Sequence, residues 1–445
     1  MEPYFRPYLP DQQFLLPPSL RDWLPEGHLA YFVSDTVDQL DLSELLSRYR
    51  RFGQGNVAYH PALMLKLLIY GYATGVFSSR RIAGACETDI AFRVLAAGDA
   101  PSHRTLARFR KEHLGTFQSL FVQVVQIAQA SGLVKLGTLA IDGSKVRANA
   151  SKHKAMSYER MQKEEEKLRR EIEALTARAQ GQDEAEDVEF GPDFRGDEIP
   201  EELERRRSRL ATIQAAKKRL EERKRAAEAD KIEAERRAEE ERKREGKPKR
   251  KSRRKRPLGQ PKPKDQESFT DPDSRIMKTN QGFQQSYNTQ IAVDGGSRII
   301  VAADVTQCSA DSGALLPVLD AARENTDQEP GAVLADAGYK SEENFLGLEE
   351  RDLEAYIPLG REGKAGKKIA DDLVATQRMH HRMGGRRARK KYKARKHTAE
   401  PPFGWIKNVL GFRQFHVRGH EAVRGEWNLV GLALNLRRMS TRLAW

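Results

Sequence analysis

Residues 138–151 read TLAIDGSKVRANAS. Leu139, Ala140 and Ile141 form a short apolar run that predicts a buried strand, and the run stops on a carboxylate, Asp142. Gly143 and Ser144 are expected to turn the chain there into a basic, amide-bearing stretch, Lys145 to Asn149. The same design recurs in AVLADAGY (332–339), where an aliphatic strand runs into Asp336 and a small residue follows. If these two strands are neighbours in one sheet, Asp142 and Asp336 project from the same region. Asp before Gly at a strand end is also an ordinary turn residue, so spacing alone leaves both readings open.

The elements around the two strands can be read in outline. YNTQIAVD (287–294) and RIIVAADVTQ (298–307) are strand-like, with DGGS (294–297) as a hairpin turn. DSGALLPVLDAAREN (311–325) predicts a helix with Asp311 as its cap. SEENFLGLEER (341–351) predicts a helix and EAYIPL (354–359) a strand. A cationic loop is expected over 361–397, then helices at EPPFGWIKNVLGF (400–412) and EAVRGEWNLVGLALNLRRM (421–439).

A chain of 445 residues is long enough for two or three domains. Its net charge of +14 calls for a polyanionic partner, with nucleic acid ahead of an anionic membrane surface. Cys86 and Cys308 stand far apart, fit no metal-ligand spacing, and imply a reducing compartment. MEPYFRPYLPDQQ (1–13) lacks a basic segment followed by an apolar one, and no apolar run approaches ~18 residues. A soluble, intracellular protein that handles nucleic acid and has no membrane span is therefore expected.

Residues 1–135 read as helical, with helices expected at 60–75, 78–96 and 101–133. Arg80, Arg81, Arg104 and Arg108 near the helix starts fit a helix-turn-helix DNA reader, or a bundle whose arginines are merely solvated. From 151 to 245 the chain is dense in Glu, Lys, Arg and Ala. Met161, Leu168, Ile172, Leu175 and Ala179 make one stripe, interrupted by Glu165, and Leu203, Leu210, Ile213 and Leu220 make another. They predict an antiparallel coiled-coil hairpin joined by an acidic, non-helical stretch at 181–200. Residues 246–269 are expected to be a basic disordered linker.

Glu400 is a third acid, at the start of a helix. Three clustered carboxylates repel one another unless cations share them, and all-oxygen ligands suit Mg²⁺ or Mn²⁺. Two such ions about 3.5 to 4 Å apart can drive phosphodiester displacement. Lys145, Arg147 and Asn149 would then face a phosphate backbone, and Lys407, two turns beyond Glu400, would meet another phosphate. Trp405 is placed either to stack on an unpaired base or to join the core. Asp271 and Asp273 read as turn residues, and His380 and His381 as solvated phosphate contacts rather than zinc ligands.

IDGSKVRANAS, ADAGYKSEEN and the arrangement of Tyr392, Arg395 and EPPFGWIK together resemble the insertion-sequence transposases of the DDE type. SSRRIAGACETDIAFRVLA with PSHRTLARFRKEH resembles the DNA-binding region of the same group, and TDPDSRIMKT and RGEWNLVGLALNLRRM also fit. The resemblance implies an α/β ribonuclease-H-like catalytic domain, split as 137–150 plus 270–445, behind the helical DNA-binding domain. It implies Asp142, Asp336 and Glu400 as ligands of two Mg²⁺ or Mn²⁺ ions, with Tyr392, Arg395 and Lys407 as a helper signature on DNA. Arg395 stands five positions before Glu400, one more than in the best-known form of that signature. The implied partners are double-stranded DNA, at element ends and target, and further copies of the chain in a dimer or larger synaptic complex. Two rivals remain: a nuclease of the same fold that does not join ends, and a non-catalytic DNA-binding coiled-coil protein.

Overall fold

The computed structural model describes residues 19–49, 58–151, 154–190, 201–244, 256–279, 281–360 and 369–443. The chain divides into two compact units, one of residues 1–146 with 288–445 and one of residues 147–287.

In the first unit the N-terminal segment is helical: α1 (Leu29–Gln39), α2 (Ser43–Ser47), α3 (Pro61–Thr74), α4 (Ser79–Thr88), α5 (Ile90–Leu95), α6 (His103–Glu112) and α7 (Thr116–Ala130). Pro61 opens α3 at a position whose N–H needs no partner, and Gly75 closes it in the left-handed region at φ 82°. Two helices expected to be continuous are broken. Asp89 ends α4 and caps α5 by accepting from the Ala91 and Phe92 amides, and the chain turns at His113–Gly115 between α6 and α7. Local apolar periodicity runs through both breaks, so it could not reveal them.

The sheet is built from β1 (Leu139–Arg147), β4 (Arg275–Thr279), β5 (Gly282–Asp294), β6 (Ile300–Thr306), β7 (Val333–Ala335) and β8 (Ala355–Tyr356), with β2 (Ala155–Ser157) and β3 (Gln266–Ser268) forming a separate pair. Its order is β4-β5-β1-β7-β8, and β6 pairs with β5. β5 is antiparallel to β4 and β6, whereas β1, β7 and β8 are parallel. The DGGS turn depends on Asp294, whose buried carboxylate accepts from the Gly296 and Ser297 amides and from Leu136 N just before β1.

Also in this unit are α11 (Leu315–Thr326), α12 (Glu342–Glu350), α13 (Val374–Gly384), α14 (Arg386–Thr398) and α15 (Glu400–Gly404), followed by a π-helical turn at Trp405–Val409 and by α16 (His420–Ser440). α16 is buried along most of its length and packs against α3 and α7 as well as β6. Its Asn435 side chain donates to Ile300 O and accepts from Ile300 N, satisfying backbone groups of β6. The N-terminal helices α3 and α7 thus pack on α16, within the compact unit of residues 1–146 and 288–445.

The expected cationic loop is largely two helices, α13 and α14, while 361–368 lie outside the described residues. Ala375, Met379, Ala388 and Thr398 turn inward at helical spacing, so the basic residues occupy the outer faces. The first turn of α13 is capped from another helix, because Glu342 accepts from the Ala375 and Thr376 amides.

In the second unit α8 (Tyr158–Phe190) packs on α9 (Glu201–Ala227), followed by α10 (Ala229–Arg244). Tyr158 bonds Glu221, Glu165 pairs with Lys217, and Glu171 pairs with Arg206, so the two helices run antiparallel. Met161, Leu168, Leu203, Ile213 and Leu220 are buried. Glu165, the interruption in the stripe, is buried with them and bound by Lys217, Arg169 and Gln214. The acidic stretch departs from expectation: residues 181–190 continue α8, and 191–200 lie outside the described residues. The expected linker is also partly built, since Gln266–Ser268 pairs with Ala155–Ser157; residues 245–255 lie outside the described residues.

Candidate active site

β1 does not end on Asp142 but continues to Arg147, so Gly143 and Ser144 lie within the strand instead of turning it. On one side β1 is carried forward by β5, where Thr289 Oγ1 donates to Ser144 O over 2.6 Å. On the other side its partner runs out. The parallel register pairs Leu139 with Val333, Ala140 with Leu334 and Ile141 with Ala335, and β7 stops there. Asp142 follows Ile141 within β1, and Asp336 follows Ala335 directly beyond the end of β7, so the two acids come next after the last register pair. Asp336 then turns the chain by accepting from Gly338 N at 2.8 Å.

Glu400 opens α15 immediately after α14, and Arg395, near the end of α14, joins it to Asp142. The Arg395 guanidinium lies 3.3 Å from Asp142 Oδ2 through Nη1 and 3.2 Å from Glu400 Oε1 through Nη2. Arg395 is largely buried, whereas the Glu400 side chain is half exposed. Tyr392, one turn earlier, packs against a small cluster that includes Ala140, Leu334 and Ala399, and the Arg395 guanidinium sits 5.8 Å from its ring centre. Burial pushes the Asp142 carboxyl up to about 6; Arg395 opposes this, while Asp336 and Glu400 add to it. The acids thus raise one another's proton affinity, and the Arg395 guanidinium, bonded to two of them, opposes this. Among the described residues no three His, Cys, Asp or Glu side chains are gathered as ligands of one ion. The guanidinium stands where positive charge is needed.

Lys407 lies in the π-helical turn and reaches β1 rather than solvent. Its ammonium donates to Ser144 Oγ and, at 2.9 Å, to Lys145 O. Burial pulls Lys407 down to about 8, helped by Lys145. The expectation of a free phosphate contact meets a lysine that already ties the Glu400 segment to the Asp142 strand.

Two family models match the sequence: Transposase domain (DUF772) over residues 18–112 and Transposase DDE domain over residues 260–436. Together they take in more than half of the chain. The chain belongs to the insertion-sequence DDE transposases. Transposases act on DNA, and the DDE family implies a ribonuclease-H-like fold and divalent ions. Asp336 and Glu400 fall within the second match, while Asp142 lies outside both. No curated protein and no solved structure matches the chain.

The basic residues expected on DNA are distributed unevenly over the transposase. Arg80, Arg81, Arg104 and Arg108 are exposed on α4 and α6, and Arg108 pairs with Glu112 at 2.7 Å. Arg147 is exposed at the end of β1. Lys145 instead faces inward to Asp311 at 3.4 Å. Trp405 is partly exposed, with the Arg437 guanidinium 5.2 Å from its ring centre. His380 and His381 are exposed on α13, as are Arg386, Arg387, Arg389, Lys390, Lys393 and Lys396 on α14. No single helix among the described residues is long and apolar enough to cross a membrane.

Asp311 was read as a helix cap, yet its side chain makes no capping bond. It turns into the transposase site, where Asn288 and Gln290 bind it. Its position before a helix concealed this, since only folding brings β5 beneath it. Two further acids are bound elsewhere: Asp271 is buried and accepts from Tyr287 OH, and Asp304 pairs with Arg424 at 2.9 Å. Those bonds account for both acids as structural.

Proposed function

We propose that the transposase binds the terminal inverted repeats of its element, cleaves their 3′ ends and joins them to target DNA. The observation that supports this most directly is the adjacency of Asp142, within β1, and Asp336, where the parallel partner β7 runs out, with Glu400 linked to Asp142 through Arg395. The donors are all carboxylate oxygens, the set that Mg²⁺ or Mn²⁺ takes, and their mutual repulsion is what such cations relieve. Asp142, Asp336 and Glu400 would hold two ions, which when bound promote an oxygen nucleophile and stabilise the leaving oxygen.

The chain's own side chains do the positioning. Asp142 stands within β1 and Asp336 directly after β7, Lys407 fastens the Glu400 segment to β1, and Arg395 holds Glu400 toward Asp142. The basic outer faces of α13 and α14 and the arginines of α4 and α6 offer sequence-independent phosphate contacts. Joining two ends together requires at least two copies of the chain.

The test uses the full chain with a donor plasmid carrying the element ends. Asp142→Asn, Asp336→Asn and Glu400→Gln should each reduce Mg²⁺-dependent cleavage by about a thousandfold or more while DNA binding survives. Unchanged cleavage in any of the three overturns its assignment. Pre-cut ends that are never joined to target would indicate a nuclease of the same fold.

A further inference from the structure

We propose that Asp311 is a positioning residue that sets the spacing of Asp142 and Asp336, a role that rests on the reading of those two acids as cation ligands. Its carboxylate reaches between the two strand ends. A side chain at Gly143, next to Asp142, would place its first carbon 2.9 Å from Asp311 Oδ1. One at Gly338, two residues past Asp336, would place it 3.2 Å from Asp311 Oδ2. Asp311 shares that crowding with the Gln290 side chain at Gly143 and with the Asp336 carboxylate at Gly338, each of which lies nearer still.

The carboxylate is held from several elements. Oδ1 accepts from Asn288 Nδ2 at 2.7 Å and Gln290 Nε2 at 3.1 Å, both on β5, and Lys145 Nζ on β1 lies 3.4 Å from both oxygens. Gln290 passes the constraint onward, because its Oε1 accepts from the buried Tyr339 hydroxyl in the turn that Asp336 opens. Asn344 closes the circuit by donating to Ser312 O beside Asp311 and to Tyr339 O, each at 2.6 Å. The segments bearing Asp142 and Asp336 are thereby tied to one carboxylate that neither belongs to. Small displacements of such ligands weaken a metal site steeply.

Both amide bonds fall on Oδ1, so Asp311→Asn keeps them and loses charge, whereas Asp311→Ala loses the wedge itself. Binding of Mn²⁺ alone to the full chain, followed by electron paramagnetic resonance of free Mn²⁺, separates these effects. Asp311→Ala should weaken Mn²⁺ binding at least tenfold and lower the cleavage kcat with little change in KM for DNA, and Asp311→Asn should retain most of both. If Asp311→Ala does not fold, Asn288→Ala removes the 2.7 Å bond with the Asp311 charge in place, and it too should weaken Mn²⁺ binding. Wild-type Mn²⁺ binding in the variant read out, or Asp311→Asn falling as far as Asp311→Ala, overturns the positioning role. Asp142→Asn is the control: if it leaves Mn²⁺ binding intact, the reading of the acids has failed rather than that of Asp311.

Discussion

Replacing Arg395 with Met keeps the buried stem and removes the cation between Asp142 and Glu400. The Glu400 pair is half exposed and contributes at most about 1 kcal/mol. The Asp142 pair matters more: at 3.3 Å and an effective dielectric near 20 its Coulomb energy is about 5 kcal/mol. Asp142 can avoid most of that loss by taking up a proton. With its carboxyl already at about 6, neutralisation at pH 7 costs on the order of 1 kcal/mol. The variant should therefore lose about 1–2 kcal/mol at pH 7 without metal, a Tm drop of roughly 2–6 °C.

The sign with pH follows from linkage. The folded carboxyl lies above its unfolded value near 3.8, so the native state binds the extra proton, and this group's contribution to stability falls as pH rises from about 4 to about 6. Without Arg395 the folded value moves higher and the fall continues to higher pH. The deficit of Arg395→Met should be absent at pH 5, open above pH 6 and grow toward pH 8. Thermal melts in EDTA at several pH values measure it, and Mn²⁺ should recover at least part of the loss by binding the folded state. A deficit equal at pH 5 and pH 8 would mean packing alone, and no deficit at pH 8 would refute the electrostatic account.

Glu426 is fully buried and accepts from Tyr72 OH and from His416 N at 2.8 Å, while Arg110 donates to the same Tyr72 hydroxyl at 3.1 Å. Glu426→Gln should cost about 3 kcal/mol in chemical denaturation, because Arg110 keeps a buried charge without its counter-ion; a cost below 1 kcal/mol would show that Tyr72 suffices. In the helical hairpin burial pushes Glu165 up, but the bonds from Lys217, Arg169 and Gln214 prevail and hold it at about 2. That stability is present above pH 4 and lost as pH falls toward 2, so Glu165→Met should flatten the loss of helical circular dichroism over this range, and an unchanged acid transition would exclude Glu165 as its cause.

The sequence was most informative where one residue type carries the physics locally. Aliphatic runs at 139–141 and 333–335 can only be buried, and both ended up as the paired parallel core of β1 and β7. Apolar spacing foretold α3, α12 and α16, and the two stripes of the insertion predicted helices that pack together. Charge was a poorer guide. The basic run before Glu400 suggested a loop, yet a helix needs only one inward face, and Ala388, Arg395 and Thr398 supply it.

What the chain alone determined is the inventory: which segments bury themselves, and which acids directly follow buried aliphatic runs. Tertiary structure decided the rest, because it depends on partners far away in sequence. Strand register, set by where β7 runs out, leaves Asp142 within a continuing strand beyond its last β7 pair. The meeting of α14 with β1 turns Arg395 inward to the acids. The arrival of β5 beneath Asp311 converts an apparent helix cap into a brace. Each is a contact between segments more than a hundred residues apart or on separate elements, and periodicity within one segment carries no information about such a distance.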